Sequence, residues 1–235
     1  PAALAAAPDG TVYVADTVCG CIVPLLPGGD WGDPVGGGLF ESGSPLSLAV
    51  TPDGALYATS AATNSVTVKI LRDGAPAGDV RLPEGVFEQP LLAAGPDGAP
   101  LALTQYGAVI DLNTGDVRAQ LGAVPPLLTG FAVTPEGWYA LATPDQGLFV
   151  LSADGVPLAQ PGRIVPAFPF PGELVRPVGL AAGPEGVLFA ADSDGSFGAV
   201  TAFSTAIVAG RVGTTALTPG LAGRGTLDEY TRQQA

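Results

Sequence analysis

The stretch LSLAVTPDGALYATS, residues 46–60, decides the fold. It places an apolar run, a Pro-Asp-Gly corner and a second apolar run in succession. Leu46, Leu48 and Val50 alternate as a pleated strand requires, Pro52 presets φ for a turn, and Gly54 accepts the positive φ that strains any residue with a Cβ. The stretch reads as a hairpin, and it recurs. Pro8-Asp9-Gly10, Pro52-Asp53-Gly54, Pro96-Asp97-Gly98, Pro135-Glu136-Gly137 and Pro184-Glu185-Gly186 lie 44, 44, 39 and 49 residues apart, each between apolar runs.

The same grammar continues outward from each corner. After Ser60 a polar turn leads to residues 65–71, a β-branched alternating strand; Asp73-Gly74 is a second corner, and residues 78–82 form a fourth strand at the outer edge. Residues 22–26 offer a third strand in the first unit. The third unit pairs 108–112 with 117–121, and the fourth pairs 148–151 with 156–159. In the fifth, strands are expected over 178–182, 187–191, 199–203 and 206–212. One such sheet cannot bury both its faces alone, and radial stacking of neighbours solves this. The expected fold is all-β, a β-propeller of four-stranded antiparallel blades, whose repeat is about 40–45 residues. Five blades are preferred, near 1–45, 46–89, 90–129, 130–177 and 178–212, with 213–235 as a C-terminal tail or partial blade. The phrase Thr215-Ala-Leu-Thr-Pro-Gly220 faintly echoes the corner, so six blades with a truncated last one is the alternative.

Glycine and proline make 58 of the 235 residues, but they fall at a fixed period between Leu, Val, Phe and Tyr runs, which marks turns and not disorder. The formal charge is −13, from 22 acids against 9 bases, and the arginines are scattered. Nucleic acid and anionic membrane surfaces are therefore poor partners. An acidic, self-repelling surface accounts for the charge, with a halophilic source or cation binding as alternatives. No apolar run is long enough to insert in a bilayer. The chain has no methionine and begins at Pro1, which fits a mature chain after signal removal or a piece of a longer protein. Cys19 and Cys21 are the only cysteines. They can close a small disulfide, supply half a metal site or remain thiols; metal needs more ligands than a chain without histidine provides, and a disulfide in an oxidising compartment is preferred. That compartment is secreted, periplasmic or cell-surface.

LAAAPDGTVYVADT (4–17), LAVTPDGALYATS (48–60), FAVTPEGWYALAT (131–143) and LAAGPEGVLFAADS (180–193) resemble the NHL-repeat phrase, an apolar strand, a Pro-Asp-Gly turn and a Val-Tyr-Val-Ala-Asp-Thr strand. The likeness covers all five units. The Gly-Asn-Asn-Arg usual in that family after Asp-Thr is replaced by Val18-Cys19-Gly20-Cys21 in the first unit and by Ala61-Ala62-Thr63-Asn64 in the second. The resemblance implies a propeller, and binding on the face built from the loops between units and between second and third strands.

Six residues after the corner glycines stand Asp16, Ser60, Thr104, Thr143 and Asp192, expected as a polar ring beside the channel mouth. They offer acceptors to a cation or to sugar hydroxyls, unless each caps a neighbouring turn amide. Asp192-Ser193-Asp194-Gly195 resembles the start of a calcium loop, but no acids follow to complete it, so no metal is assigned and Asp192 and Asp194 are weak calcium candidates. The longest connection, QPGRIVPAFPFPGELVRP (160–177), is stiffened by prolines that would hold out Phe168 and Phe170 as partner contacts or as a plug over the channel; Trp31 joins them on the loop face.

No histidine is present, so Ser-His-Asp and Cys-His catalysis are excluded. The expected function is a non-catalytic binding or scaffold propeller, contacting a protein or a glycan, or serving as a structural subunit of a larger assembly, with no cofactor. The alternative is a calcium-dependent hydrolase or lyase of the gluconolactonase-like kind, with Asp16, Asp192 or Asp145 as calcium ligands.

Overall fold

The Pro-Asp-Gly corners fold as the sequence dictates. In the computed structural model Gly54 N–H donates to Thr51 O at 2.9 Å and Thr51 N–H to Ala55 O at 3.0 Å, which closes a tight turn followed by a left-handed glycine at φ +82°. The same position is left-handed in the other four corners, from +68° at Gly186 to +88° at Gly10. The structure describes residues 3–40, 45–62, 65–83, 90–122, 124–125, 127–166, 172–183, 186–193, 198–204, 207–208, 211–212, 215–216 and 224–225.

Residues 1–124 form one compact unit. Its first sheet orders β1 (Leu4–Ala6), β2 (Val12–Asp16) and β3 (Cys21–Leu25). The second orders β4 (Leu48–Val50), β5 (Leu56–Ala62), β6 (Ser65–Arg72) and β7 (Ala75–Arg81); the third runs from β8 (Leu91–Ala94) through β9 (Pro100–Leu103) and β10 (Ala108–Asp111) to β11 (Val117–Gln120). All neighbours are antiparallel. The first sheet departs from the expected four strands. Its fourth place is taken by two isolated bridges, Ile22 with Val35 and Leu25 with Trp31, because Pro24 sits between them without an N–H and can only accept, from Gly32 N at 2.8 Å.

Residues 125–235 form the second unit. It holds the sheet β12 (Gly130–Val133), β13 (Tyr139–Thr143), β14 (Gly147–Leu151) and β15 (Pro157–Ala159), then a short parallel pair, β16 (Arg163–Ile164) with β17 (Glu173–Leu174). The last large sheet orders β18 (Pro177–Ala182), β19 (Val187–Ser193) and β20 (Gly198–Ser204). Here the expected fourth strand over 206–212 is corrected. Within it β21 (Ile207–Val208) and β22 (Arg211–Val212) pair with each other, and the edge of β20 goes to β23 (Thr215–Ala216) and β24 (Arg224–Gly225).

Within each unit the core lies between successive sheets, which explains why the strands read as continuous apolar runs. On β5, Leu56 and Ala58 pack with Ala15, Ile22 and Leu71 toward the first sheet, while Tyr57 packs with Val66, Val68, Leu92 and Ile110 toward the third. In the second unit Leu148, Val150 and Leu174 meet Leu188, Ala190 and Phe203. Inner strands come close enough to need small residues: a Cβ on Gly130 would lie 2.7 Å from Leu180 Cβ and 2.8 Å from Leu180 N. Side chains stitch these seams as well. Ser47 Oγ accepts Leu92 N–H at 2.8 Å, and Thr129 Oγ1 donates to Pro177 O at 2.7 Å.

Candidate functional site

The loop end of each sheet is where the second strand finishes, and the residues six beyond the corner glycines lie at or next to the ends of β2, β9, β13 and β19, with Ser60 two residues inside the end of β5. What they do is mostly local. Asp16 Oδ1 accepts Val18 N–H at 2.8 Å, so the carboxylate shapes the β2–β3 turn. Thr104 Oγ1 accepts Ala108 N–H at 3.1 Å, and Thr143 Oγ1 accepts Gln146 N–H at 3.1 Å. Ser60 is buried beside Thr59, whose hydroxyl accepts Ser47 N–H at 3.0 Å.

Asp192 reaches furthest. It is 2% exposed, and its two oxygens accept Val175 N–H at 2.8 Å and Arg176 N–H at 2.5 Å. The carboxylate thus ties down the end of the 160–177 connection. Its other end is fixed too: Pro161 O accepts Leu148 N–H at 3.1 Å, Val165 N–H donates to Leu174 O at 2.8 Å, and Leu174 is fully buried. The base of this connection is therefore part of the sheet packing, which its proline content does not announce. Phe168 and Phe170 lie outside the described residues, as does Asp194. Among the described residues no group of three or more His, Cys, Asp or Glu is arranged to hold a metal.

Trp31 stands elsewhere. It bridges Leu25, the residue opposite Val12, at the end of the first sheet that carries the Pro8-Asp9-Gly10 corner. Asp16 and Cys21 pair at the other end, so Trp31, 62% exposed, is not with the loop face where the sequence reading put it. Among the described residues, the most exposed apolar side chains at loop ends are instead Val18 (95%) and Tyr106 (63%) in the first unit and Leu127 (64%) in the second. The Tyr106 turn and the Gln146 turn are pinned alike. Gln120 Nε2 donates to Tyr106 O at 2.7 Å, and Gln160 Nε2 donates to Gln146 O at 3.1 Å, the same device in two sheets. The signal for it is the equal separation of 14 residues from glutamine to turn carbonyl. At the first loop end Cys19 and Cys21 are joined as a disulfide, Cα to Cα 5.2 Å, with Val18 at the tip of the turn.

The corner ends carry charge. Asp53 accepts from Thr51 Oγ1 at 2.5 Å and from Arg72 Nη1 at 2.9 Å; the hydroxyl first and the guanidinium second hold its carboxyl at about 2. Arg118 bonds Asp97 through Nη1 at 2.7 Å and the buried Asp111 through Nε and Nη2 at 3.0 and 2.6 Å. The Arg118 hydrogen bond comes first in lowering Asp97, and the reciprocal bond raises Arg118. These pairs brace hairpins.

No family model matches the chain, and no curated protein sequence does. Among solved structures it is similar to a catalytically inactive virginiamycin B lyase from Staphylococcus aureus with quinupristin, at TM-score 0.59 and 16% identity over 91% of this chain and 68% of that one. It is similar to the PQQ-bound aldose sugar dehydrogenase of Streptomyces coelicolor at TM-score 0.58 and 17% identity, over 95% of this chain and 83% of that one. A streptogramin B lyase structure matches at TM-score 0.57 and 15% identity over 87% of this chain and 68% of that one. Likeness at such identities carries architecture alone: the chain has the β-propeller fold, all-β with five antiparallel blades.

Proposed function

We propose that the chain is a non-catalytic, NHL-like propeller, secreted, periplasmic or at the cell surface, that binds a protein through the loop ends of its blades or joins a larger assembly, with a glycan as a less fitting occupant. The observation that carries this reading is the state of the loop-end polar atoms. Asp16 through Oδ1, Thr104, Thr143 and Asp192 through both oxygens accept from nearby backbone amides, while Val18 and Tyr106 present apolar surface on turns that are already fixed. Pre-set apolar contacts lose little entropy on binding, which suits a protein surface. The aromatics of the 160–177 connection, Phe168 and Phe170, belong to the same reading on sequence grounds.

The test is cross-linking of the native chain to whatever copurifies with it, repeated with Val18→Glu and Tyr106→Glu. Both substitutions should reduce the captured partner at least about tenfold, the loss of one or two buried apolar contacts. Trp31→Glu at the opposite end should leave it unchanged. A partner retained by both loop-end variants and lost by Trp31→Glu would put the interface at the wrong end.

The likeness to a lyase and a dehydrogenase favours an enzyme as the second reading. In its calcium-dependent, gluconolactonase-like form Asp192 would have to release two amides to ligate an ion. Lactone hydrolysis that needs calcium, with a calcium-dependent rise in Tm, would establish this reading over the first.

A further inference from the structure

We infer that Cys19 and Cys21 form a thiol-exchange site, a disulfide that low-molecular-weight thiols of the glutathione class open and reclose while the chain stays folded. The inference stands apart from the binding reading, since it rests on the β2–β3 turn alone. A disulfide stabilises largely by shortening the loops open to the unfolded chain, with a logarithmic dependence on loop length. This one links residues two apart, so it restrains almost nothing remote.

The hairpin it sits on is held by other means. The β2–β3 ladder runs from Val12 opposite Leu25 to Asp16 opposite Cys21, the Asp16 carboxylate accepts Val18 N–H, and Ile22 exchanges two hydrogen bonds with Val35, at 3.0 and 2.8 Å. A bond that the fold does not need is free to serve chemistry.

The two sulfurs differ in access. Cys19 is exposed on the turn, and Cys21 is 5% exposed beneath it. An incoming thiolate meets Cys19 Sγ first. The new sulfur–sulfur bond forms there, the Cys19–Cys21 bond breaks, and its electron pair leaves on Cys21 Sγ, which takes a proton from water. A second thiolate attacks the outer sulfur of the mixed disulfide, which frees Cys19 as a thiol and releases the oxidised low-molecular-weight disulfide. Two electrons and two protons have then entered the pair. The freed Cys19 thiol has an acceptor in place, because its sulfur lies 3.6 Å from Asp16 O. Val18, the residue before Cys19, is the most exposed apolar side chain beside the ring.

The experiment equilibrates the full folded chain with mixtures of reduced and oxidised glutathione, traps thiols by alkylation and counts them by mass spectrometry beside circular dichroism. Both thiols should appear within the range of ratios that glutathione buffers reach, with the β-sheet spectrum unchanged. Thiols that appear only under denaturant, or together with loss of the spectrum, would overturn the inference. Single variants separate the sulfurs. Cys21→Ser should leave an exposed Cys19 that forms a glutathione adduct at least about tenfold faster than the Cys21 left by Cys19→Ser; equal rates would remove the proposed point of attack. The double variant Cys19→Ser, Cys21→Ser should keep the folded spectrum, and its failure to fold would make the bond structural and end the proposal.

Discussion

Gly130 shows how much one missing methyl group determines. Its Cα faces the backbone of Gly179 and Leu180 on the neighbouring inner strand, and a Cβ would fall at 2.7–3.1 Å from three of their atoms. Backbone cannot swing aside as a side-chain tip can. Gly130→Ala should therefore cost about 1–3 kcal/mol, which for a chain of this length lowers Tm by roughly 2–12 °C in a thermal melt. Gly28→Ala is the control, as a Cβ there meets nothing within 4 Å, and it should change Tm by less than about 2 °C. Equal effects at both positions would mean that the blades do not approach as closely as described. Asp192 makes the same point in polar chemistry. Asp192→Asn keeps the volume but can accept with one oxygen only, which leaves Val175 or Arg176 N–H facing an amide NH2. A loss of about 1–3 kcal/mol is expected in urea unfolding, together with faster hydrogen exchange at those two amides. Unchanged exchange would show that the carboxylate does not hold the connection.

The hairpin corner is the element that the sequence makes plainest, because five consecutive residues carry all of its chemistry. Proline, acid and left-handed glycine are adjacent, so counting from them also finds the loop-end positions of Asp16, Thr104, Thr143 and Asp192. What those oxygens bond is not legible from the count: their partners are amides whose places depend on how each turn closes. Trp31 reads as a loop-face residue until the bridge to Leu25 shows that the chain has already crossed the sheet. The arginine clamps are hidden for a similar reason, since Arg72 lies 19 residues from Asp53 and Arg118 lies 21 from Asp97. They have a measurable consequence. Asp53 is held at about 2 and Asp97 is also lowered, against an ordinary value of 3.8. A carboxylate with a depressed folded pKa adds stability that is complete above about 4 and disappears as pH falls toward about 2. Tm should fall between pH 4 and 2 more steeply in the native chain than in Asp53→Asn, Asp97→Asn, and parallel curves would show that the two carboxylates are not held low. Arg118→Met should destabilise by about 1–3 kcal/mol at neutral pH, because it strands the buried Asp111, although the partial exposure of Arg118 moderates the loss. Arg72→Met, on an exposed pair, should cost clearly less in the same chemical denaturation series.

Across the whole molecule the charge is lopsided, 22 acids against 9 bases. Among the described residues, four close pairs use Lys69, Arg72 and Arg118 against Asp79, Asp53, Asp97 and Asp111. Two opposing effects of salt follow. Screening weakens those pairs, but the three formed by exposed carboxylates contribute only about 0–1 kcal/mol each, and the contact to buried Asp111 is screened least. Screening also relieves repulsion among the surplus carboxylates, which is longer in range and acts against the compact state everywhere at once. At about 10 mM salt the Debye length is about 30 Å, and at about 0.1 M it is about 10 Å, so most of that relief arrives within this interval. Repulsion should dominate, and Tm should climb by roughly 2–8 °C between about 10 mM and 0.5 M sodium chloride, equivalent to about 1–2 kcal/mol for a chain of this length. A Tm that falls over this range would mean that specific pairs outweigh the surplus. Calcium chloride at matched ionic strength separates screening from binding. With both oxygens of Asp192 engaged by backbone amides, calcium should add no more than about 1 °C beyond sodium; a larger gain at millimolar concentration would mark a bound ion and move the functional reading toward the enzyme.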